Sequence, residues 1–352
     1  MIAGQKIKVL IVDDSAIVRR ILTETISAEK DMEVVGTAPD PFIARDKILA
    51  LKPDVLTLDI EMPRMDGLTF LKKLMAYHPM PVIVISSLSQ ASCEISMEAL
   101  RCGAVEVMAK PGGPYSIGEL RSALAARLRA AAHAHIRSTP SVAISAQTPP
   151  RQISRGAFAD NIVLAIGAST GGTEAIRVVL EGLPESTPGI VIAQHIPPVF
   201  SEAFANRLNK ICAMEVKEAK DGDEVRPGRA LVAPGNFHMV LRRAGGTYRV
   251  EIRTGPQVCY QRPSVDVLFS SVAEAAGSKA IGVLLTGMGA DGAQGLLRMK
   301  ERGAKTIAQD EESCVVYGMP REAAKLGAAN SILPLSTIAS AILRETHAYS
   351  KV

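Results

Sequence analysis

The first third of the chain alternates short, continuously apolar runs with helix-length segments. Four of those runs end on residues suited to phosphate chemistry. Val9–Val12 is followed by Asp13 and Asp14, Val55–Leu58 by Asp59, Val82–Ile85 by Ser86, and Val105–Ala109 by Lys110. Runs without polar alternation suit strands covered on both faces, as in parallel sheets. With a further strand over Glu33–Ala38, the pattern predicts five βα units in a doubly wound, flavodoxin-like sheet of order 2-1-3-4-5. Helices are expected from Ser15, near Phe42–Leu51, Leu68–Tyr77 and Cys93–Cys102, and from Ile117. The switch point of that order lies between strands 1 and 3, which carry Asp13, Asp14 and Asp59.

Open α/β sheets keep ligands at the carboxyl ends of their strands, where these polar residues fall. Clustered carboxylates repel one another and favour a hard cation such as Mg2+. Beside such an ion Asp59 can attack a phosphoryl group, Lys110 can neutralise its oxygens and Ser86 can hydrogen-bond them. The first domain is therefore read as a phosphorylation switch.

At 352 residues the chain can hold two domains, each with its own core. The boundaries expected are 1–130 for the switch, 131–160 for a linker rich in Ala, Ser, Thr, Pro, Gln and Arg, and 161–352 for a second domain. A net charge of +4, without a basic stripe, gives no case for nucleic acid. Five scattered cysteines without C-x-x-C spacing suit reduced thiols in a cytoplasmic protein. No segment reads as a membrane span, so no membrane insertion is expected.

The second domain also reads as α/β. Strands are expected at Ile162–Ile166, Ile190–Ala193, Ala230–Val232, Ile281–Leu285, Lys305–Ala308 and Ser331–Leu333, with an antiparallel hairpin over Met239–Arg243 and Tyr248–Arg253. The first strand runs into Gly167-Ala168-Ser169-Thr170-Gly171-Gly172 and then a helix. This turn suits a nucleophilic serine beside backbone N–H groups, and it suits equally a phosphate-cradling turn of a nucleotide-binding domain. For a base the best-positioned residue is His195, at the end of Ile190–Gln194. His238 could contact substrate, and His347 lies in a polar helix. Asp291, in the glycine-rich stretch after Ile281–Leu285, can orient an imidazole or cap the helix starting near Ala293. Asp266 and Asp310 are weaker choices. Serine, histidine and aspartate follow in that order, unlike standard α/β-hydrolases.

These motifs together resemble two families. Val12-Asp13-Asp14-Ser15, Leu58 to Gly67, Ser86-Ser87 and Lys110-Pro111 resemble the receiver of two-component response regulators. The whole chain is similar to chemotaxis protein-glutamate methylesterases through Ile166 to Gly172, Gln194 to Pro197, Ala233-Pro234-Gly235, Leu285 to Gly292 and Tyr317 to Pro320. The resemblance implies a catalytic triad of Ser169, His195 and Asp291, with Thr170 and Met288 backbone amides as oxyanion donors. It implies Asp59 as phospho-acceptor, and Asp13, Asp14 and the Ile60 carbonyl as Mg2+ ligands with Asp59. It implies methylated chemoreceptors as substrate, a histidine kinase as phosphodonor, deamidation of receptor glutamines as a second activity, and no cofactor for ester hydrolysis. Unphosphorylated receiver is expected to cover the esterase cleft. Val107 departs from the pattern, because receivers usually carry an aromatic there. The alternative from another class is a receiver-controlled nucleotide-binding module.

Overall fold

The computed structural model describes residues 6–87, 89–110, 117–134 and 162–349. Contacts divide the chain into two units, Met1–Thr139 and Pro140–Val352. Most of the expected linker, from residue 135 on, lies outside the described residues.

The first unit runs β1 (Ile7–Val12), α1 (Ala16–Ser27), β2 (Met32–Ala38), α2 (Pro41–Leu51), β3 (Val55–Asp59), α3 (Gly67–Tyr77), β4 (Val82–Ser86), α4 (Gln90–Arg101), β5 (Glu106–Ala109) and α5 (Ile117–Ala132). All strand pairs are parallel, in the order β2-β1-β3-β4-β5. Every residue of β3, β4 and β5 is buried, which accounts for their mostly apolar sequences. Ser15, Asp40, Asp66 and Ser89 each cap the following helix with a side-chain oxygen. Short polar residues thus start α1 to α4.

Gly67 opens α3 against the end of β3. A Cβ there would lie 2.0 Å from the Asp59 carbonyl oxygen and 2.8 Å from Ile60 Cα, both main chain. Gly67→Ala must therefore displace the strand end that carries Asp59. It should cost the receiver roughly 1–3 kcal/mol, as overpacking does. Denaturant melting of the variant would check this, and a receiver transition identical to wild type would contradict it.

The second unit runs β6 (Val163–Ala168), α6 (Gly172–Glu181), β7 (Gly189–Gln194), α7 (Phe200–Ile211), β8 (Glu215–Glu218), β9 (Glu224–Val225), β10 (Arg229–Val232), β11 (His238–Ala244), β12 (Thr247–Arg253), α8 (Val265–Ala275), β13 (Ala280–Leu284), α9 (Ala293–Glu301), β14 (Lys305–Gln309), α10 (Met319–Lys325), β15 (Ser331–Leu333) and α11 (Leu335–Tyr349). Seven strands form a parallel sheet in the order β15-β14-β13-β6-β7-β10-β8. The direction of winding reverses at β6, so the switch point lies between β6 and β13. The expected hairpin is β11–β12, and β9 adds a third antiparallel strand to it.

One core cluster joins the sheet to α8 and α9. It includes Val163, Ala165, Val191, Leu268, Phe269, Leu284, Leu296 and Met299. Phe269 is fully buried, and burying such a ring contributes about 1.5–3 kcal/mol. Among the described residues no helix is long and apolar enough to cross a membrane. All five cysteines are free thiols.

Candidate active site and acidic pocket

In the second unit the ends of β6, β7 and β13 bring together three residues far apart in sequence. Ser169 follows β6, His195 follows β7 and Asp291 lies beyond β13. The main chain ties them before any side chain acts. His195 N–H donates to the Ala168 carbonyl at 3.1 Å, and Ser169 N–H to the Thr286 carbonyl at 3.0 Å. The buried Gln194 amide adds two donations from Nε2, to the carbonyls of Ser169 (2.9 Å) and His195 (3.2 Å). Gly171 then takes φ +75° to turn the chain into α6, a conformation glycine adopts without a Cβ penalty.

Ser169 Oγ lies 3.0 Å from His195 Nδ1, and His195 Nε2 lies 2.7 Å from Asp291 Oδ2. All three residues are buried. A carboxylate only accepts, so Nε2 carries the proton and Nδ1 presents a lone pair to the serine hydroxyl. The ring thus meets serine through Nδ1, the reverse of the histidine orientation in the chymotrypsin triad.

Asp291 does not cap the helix that follows it, as one sequence reading allowed. Gly292, at φ +88°, occupies the N-cap of α9. The Asp291 carboxylate faces the N-terminus of α8 instead. It accepts Val265 N–H at 2.7 Å, Asp266 N–H at 2.9 Å and Ser264 Oγ–H at 2.8 Å. Burial is the largest single influence on this carboxyl and pushes its pKa up. The hydrogen bond and charge of His195, with the two α8 amides, outweigh burial and leave it below the ordinary value. A helix N-terminus is a natural seat for such an anion. Asp266, the weaker candidate, spends Oδ1 on Gly295 N–H at 2.6 Å, and burial pushes its pKa up. Asp310 binds Ser313 rather than any histidine. His238 is buried with both ring nitrogens engaged, Nε2 by the Pro256 carbonyl and Nδ1 by Ser264 N–H.

The loop after β13 lies directly against the serine. A Cβ on Gly287 would come 2.6 Å from Ser169 Cβ, so the next residue, Met288, flanks the serine turn. Thr286 braces that loop: its Oγ1 donates toward the carbonyls of Thr170 (3.1 Å) and Val316 (3.2 Å) and accepts Val316 N–H at 3.0 Å. Its N–H donates to Oε1 of the buried Gln309 at 2.8 Å. The site-shaping roles of Gln194, Ser264, Thr286 and Gln309 depend on contacts between segments distant in sequence. Only Ser264 carries a local signal, as a serine ahead of an apolar helical run.

In the first unit the strand ends gather Asp13, Asp14 and Asp59, with one oxygen from each within 4.8 Å of the others. Lys110 Nζ lies 2.6 Å from Asp59 Oδ2 and 3.9 Å from Asp13 Oδ2. Burial first, then the Asp59 charge, pushes the Asp13 carboxyl up to about 6. Burial likewise raises Asp59. Lys110 is raised, because its hydrogen bond to Asp59 and the surrounding carboxylates outweigh its burial. Asp13 Oδ2 and Ser86 Oγ are buried with no hydrogen-bond partner among the described residues. Orphaned, mutually repelling oxygens fit a cation and a phosphoryl group. The Ile60 carbonyl accepts Gly67 N–H at 2.9 Å in the turn entering α3, which leaves its second lone pair.

Comparison with known proteins bears on both units. A family model described as CheB methylesterase matches residues 164–342, and one described as response regulator receiver domain matches residues 9–124. The chain is 57% identical over 343 residues to protein-glutamate methylesterase/protein-glutamine glutaminase 2 of Syntrophus aciditrophicus (strain SB), covering 96% of this chain and 99% of that relative. It is 54% identical over 341 residues to protein-glutamate methylesterase/protein-glutamine glutaminase 4 of Anaeromyxobacter dehalogenans (strain 2CP-C), covering 97% and 95%. The crystal structure of the Thermotoga maritima CheB methylesterase catalytic domain aligns with a TM-score of 0.52 at 38% identity, covering 53% of this chain and 100% of that one.

Proposed function

Because the chain belongs to the protein-glutamate methylesterase/protein-glutamine glutaminase family, we propose that it is a phosphorylation-activated serine esterase. Its substrates are glutamate methyl esters on chemoreceptors, and its products are glutamate and methanol. The observation that carries this reading is the buried hydrogen-bonded series Ser169 Oγ, His195 Nδ1, His195 Nε2 and Asp291 Oδ2.

Ser169 Oγ attacks the ester carbonyl carbon as His195 Nδ1 takes its proton. The charge on the ring is held by Asp291, itself fixed by the N-terminus of α8. The carbonyl oxygen becomes an oxyanion beside the Thr170 and Met288 amides. The C–O bond to methanol then breaks, and Nδ1 returns its proton to the departing oxygen. Water, deprotonated by the same nitrogen, releases glutamate and frees Ser169. A glutamine side chain presents the same carbonyl and loses ammonia by the same steps. The nucleotide-binding alternative has no observation in its favour, since the hydroxyl of the glycine-rich turn is engaged with an imidazole.

In the receiver, Asp59 attacks the phosphorus of a phosphohistidine kinase, the N–P bond breaks, and the kinase imidazole recovers its lone pair. Asp13, Asp14 and Asp59 would hold Mg2+, which when bound offsets the charge of the carboxylates and the phosphoryl group. The Ile60 carbonyl would serve the ion only through its second lone pair, the first being used by Gly67. Ser86 and Lys110 hydrogen-bond the phosphoryl oxygens. Phosphorylation then shifts the population toward the active esterase.

Wild-type protein should release methanol from methylated receptor and ammonia from receptor carrying glutamine at the same sites. His195→Ala should abolish both together. Ammonia release that outlives methanol release in this variant would refute a shared site.

A further inference from the structure

Behind Asp291 the hydrogen bonds continue. Ser264, whose Oγ–H holds Asp291 Oδ1 at 2.8 Å, donates its own main-chain N–H to His238 Nδ1 at 3.3 Å. His238 Nε2 lies 2.9 Å from the Pro256 carbonyl. A carbonyl can only accept, so Nε2 carries a proton, and Nδ1, which receives an amide N–H, does not. These contacts define His238 as a neutral imidazole in one tautomer. Ser264 and His238 are 1% and 5% exposed, so both are buried.

Three elements meet through this ring. His238 opens β11 in the antiparallel sheet, Ser264 caps α8, and Asp291 follows β13 of the parallel sheet. Three of the four hydrogen bonds to Asp291 come from the consecutive residues Ser264, Val265 and Asp266. A rotation of that one turn would therefore misaim all three together. His238 grips the turn at the N–H of Ser264, the residue whose hydroxyl also holds Asp291, while Asp266 Oδ1 accepts Gly295 N–H one step further on. Without the imidazole the buried Ser264 N–H would lose its partner, which a fold relieves by shifting.

We propose that His238 is a positioning residue for the esterase reaction. It clamps the start of α8 so that the helix amides and the Ser264 hydroxyl hold Asp291, and through Asp291 it fixes the tautomer of His195. This inference rests on the esterase reading of Ser169, and one of its two tests is independent of activity.

The first test compares kcat and KM on methylated receptor for full-length His238→Ala, His238→Asn and His238→Gln. Loss of one such clamp should lower kcat about tenfold in His238→Ala and leave KM unchanged. Asn presents a carbonyl oxygen near the Nδ1 position and should recover most of the loss. Gln reaches toward Pro256 but offers Ser264 no such acceptor, and should recover little. The second test is the low-field proton resonance of His195 Nε2–H, identified by its absence in His195→Gln. It should move in His238→Ala and in the less disruptive Ser264→Ala, and return toward the wild-type position in His238→Asn. A resonance unmoved in His238→Ala and Ser264→Ala, or Asn no better than Gln, would overturn the assignment. Absence of ester hydrolysis by wild type would remove the functional reading, while the resonance would still decide the clamp.

Discussion

Asp291→Asn should lower kcat for ester hydrolysis by about 10,000-fold with little change in KM, as expected when a triad histidine is forced into the wrong tautomer. The reason lies in donor and acceptor counts. Asp291 accepts from His195 Nε2, Ser264 Oγ, Val265 N and Asp266 N, and an ionised carboxylate suits four donors. Asparagine has one acceptor oxygen and an NH2 group. If the oxygen takes the Oδ1 place, beside Ser264 Oγ and Asp266 N–H, the NH2 faces Val265 N–H and His195 and requires Nε2 to lose its proton. Nδ1 then carries the proton and can no longer accept one from Ser169. If the oxygen takes the Oδ2 place and faces His195, the NH2 meets Asp266 N–H, two donors at hydrogen-bond distance. The side chain loses little volume, so the fold should survive and the loss should appear in kcat. Steady-state kinetics on methylated receptor checks this, and a fall of less than tenfold would show that the carboxylate does not govern the imidazole.

The second large effect concerns the switch. With Mg2+ and a small-molecule phosphodonor such as acetyl phosphate, wild-type activity should rise. In Asp59→Asn the ratio of activities with and without phosphodonor should fall to one. Asp59 is buried at the end of β3 with Lys110 Nζ at 2.6 Å, and an amide in its place cannot form the acyl phosphate. Stimulation of the variant equal to that of wild type would mean that phosphodonor acts elsewhere.

Much of this molecule is legible in its sequence, and the parts that are not share a cause. The receiver order β2-β1-β3-β4-β5 follows from apolar runs that end on polar residues, because burial on both faces leaves no other pattern. In the second unit the strands leading to Ser169, His195 and Asp291 are legible for the same reason. Strands β8 and β9 are not. Glu215-Val216-Lys217-Glu218 is a short, charged edge segment, and Glu224-Val225 is two residues long. Neither carries enough apolar period to announce a strand.

The same limit applies to side-chain partners. That Asp291 is a local cap or a triad member could be weighed from its position, but its seat on α8 depends on Ser264 and Asp291 meeting in space. Nothing in the intervening residues signals that contact. In sequence His238 reads only as a possible substrate contact at the start of the hairpin. Its two partners, Ser264 N–H and the Pro256 carbonyl, are main-chain groups with no residue-type signature. The ring nitrogen that faces Ser169 is likewise set by backbone geometry, not by residue identity.

Every step of the proposed ester hydrolysis depends on Ser169 as nucleophile. Methanol release from methylated receptor, measured side by side for wild type and Ser169→Ala under phosphodonor and Mg2+, tests it most directly. Removing one hydroxyl from a residue whose turn is held by main-chain bonds to Thr286 and Gly172 should leave the fold intact. Release should fall by about a millionfold, as for a lost nucleophile in a serine hydrolase, and so disappear from the assay. Methanol still released by Ser169→Ala at a rate near that of wild type would contradict the account.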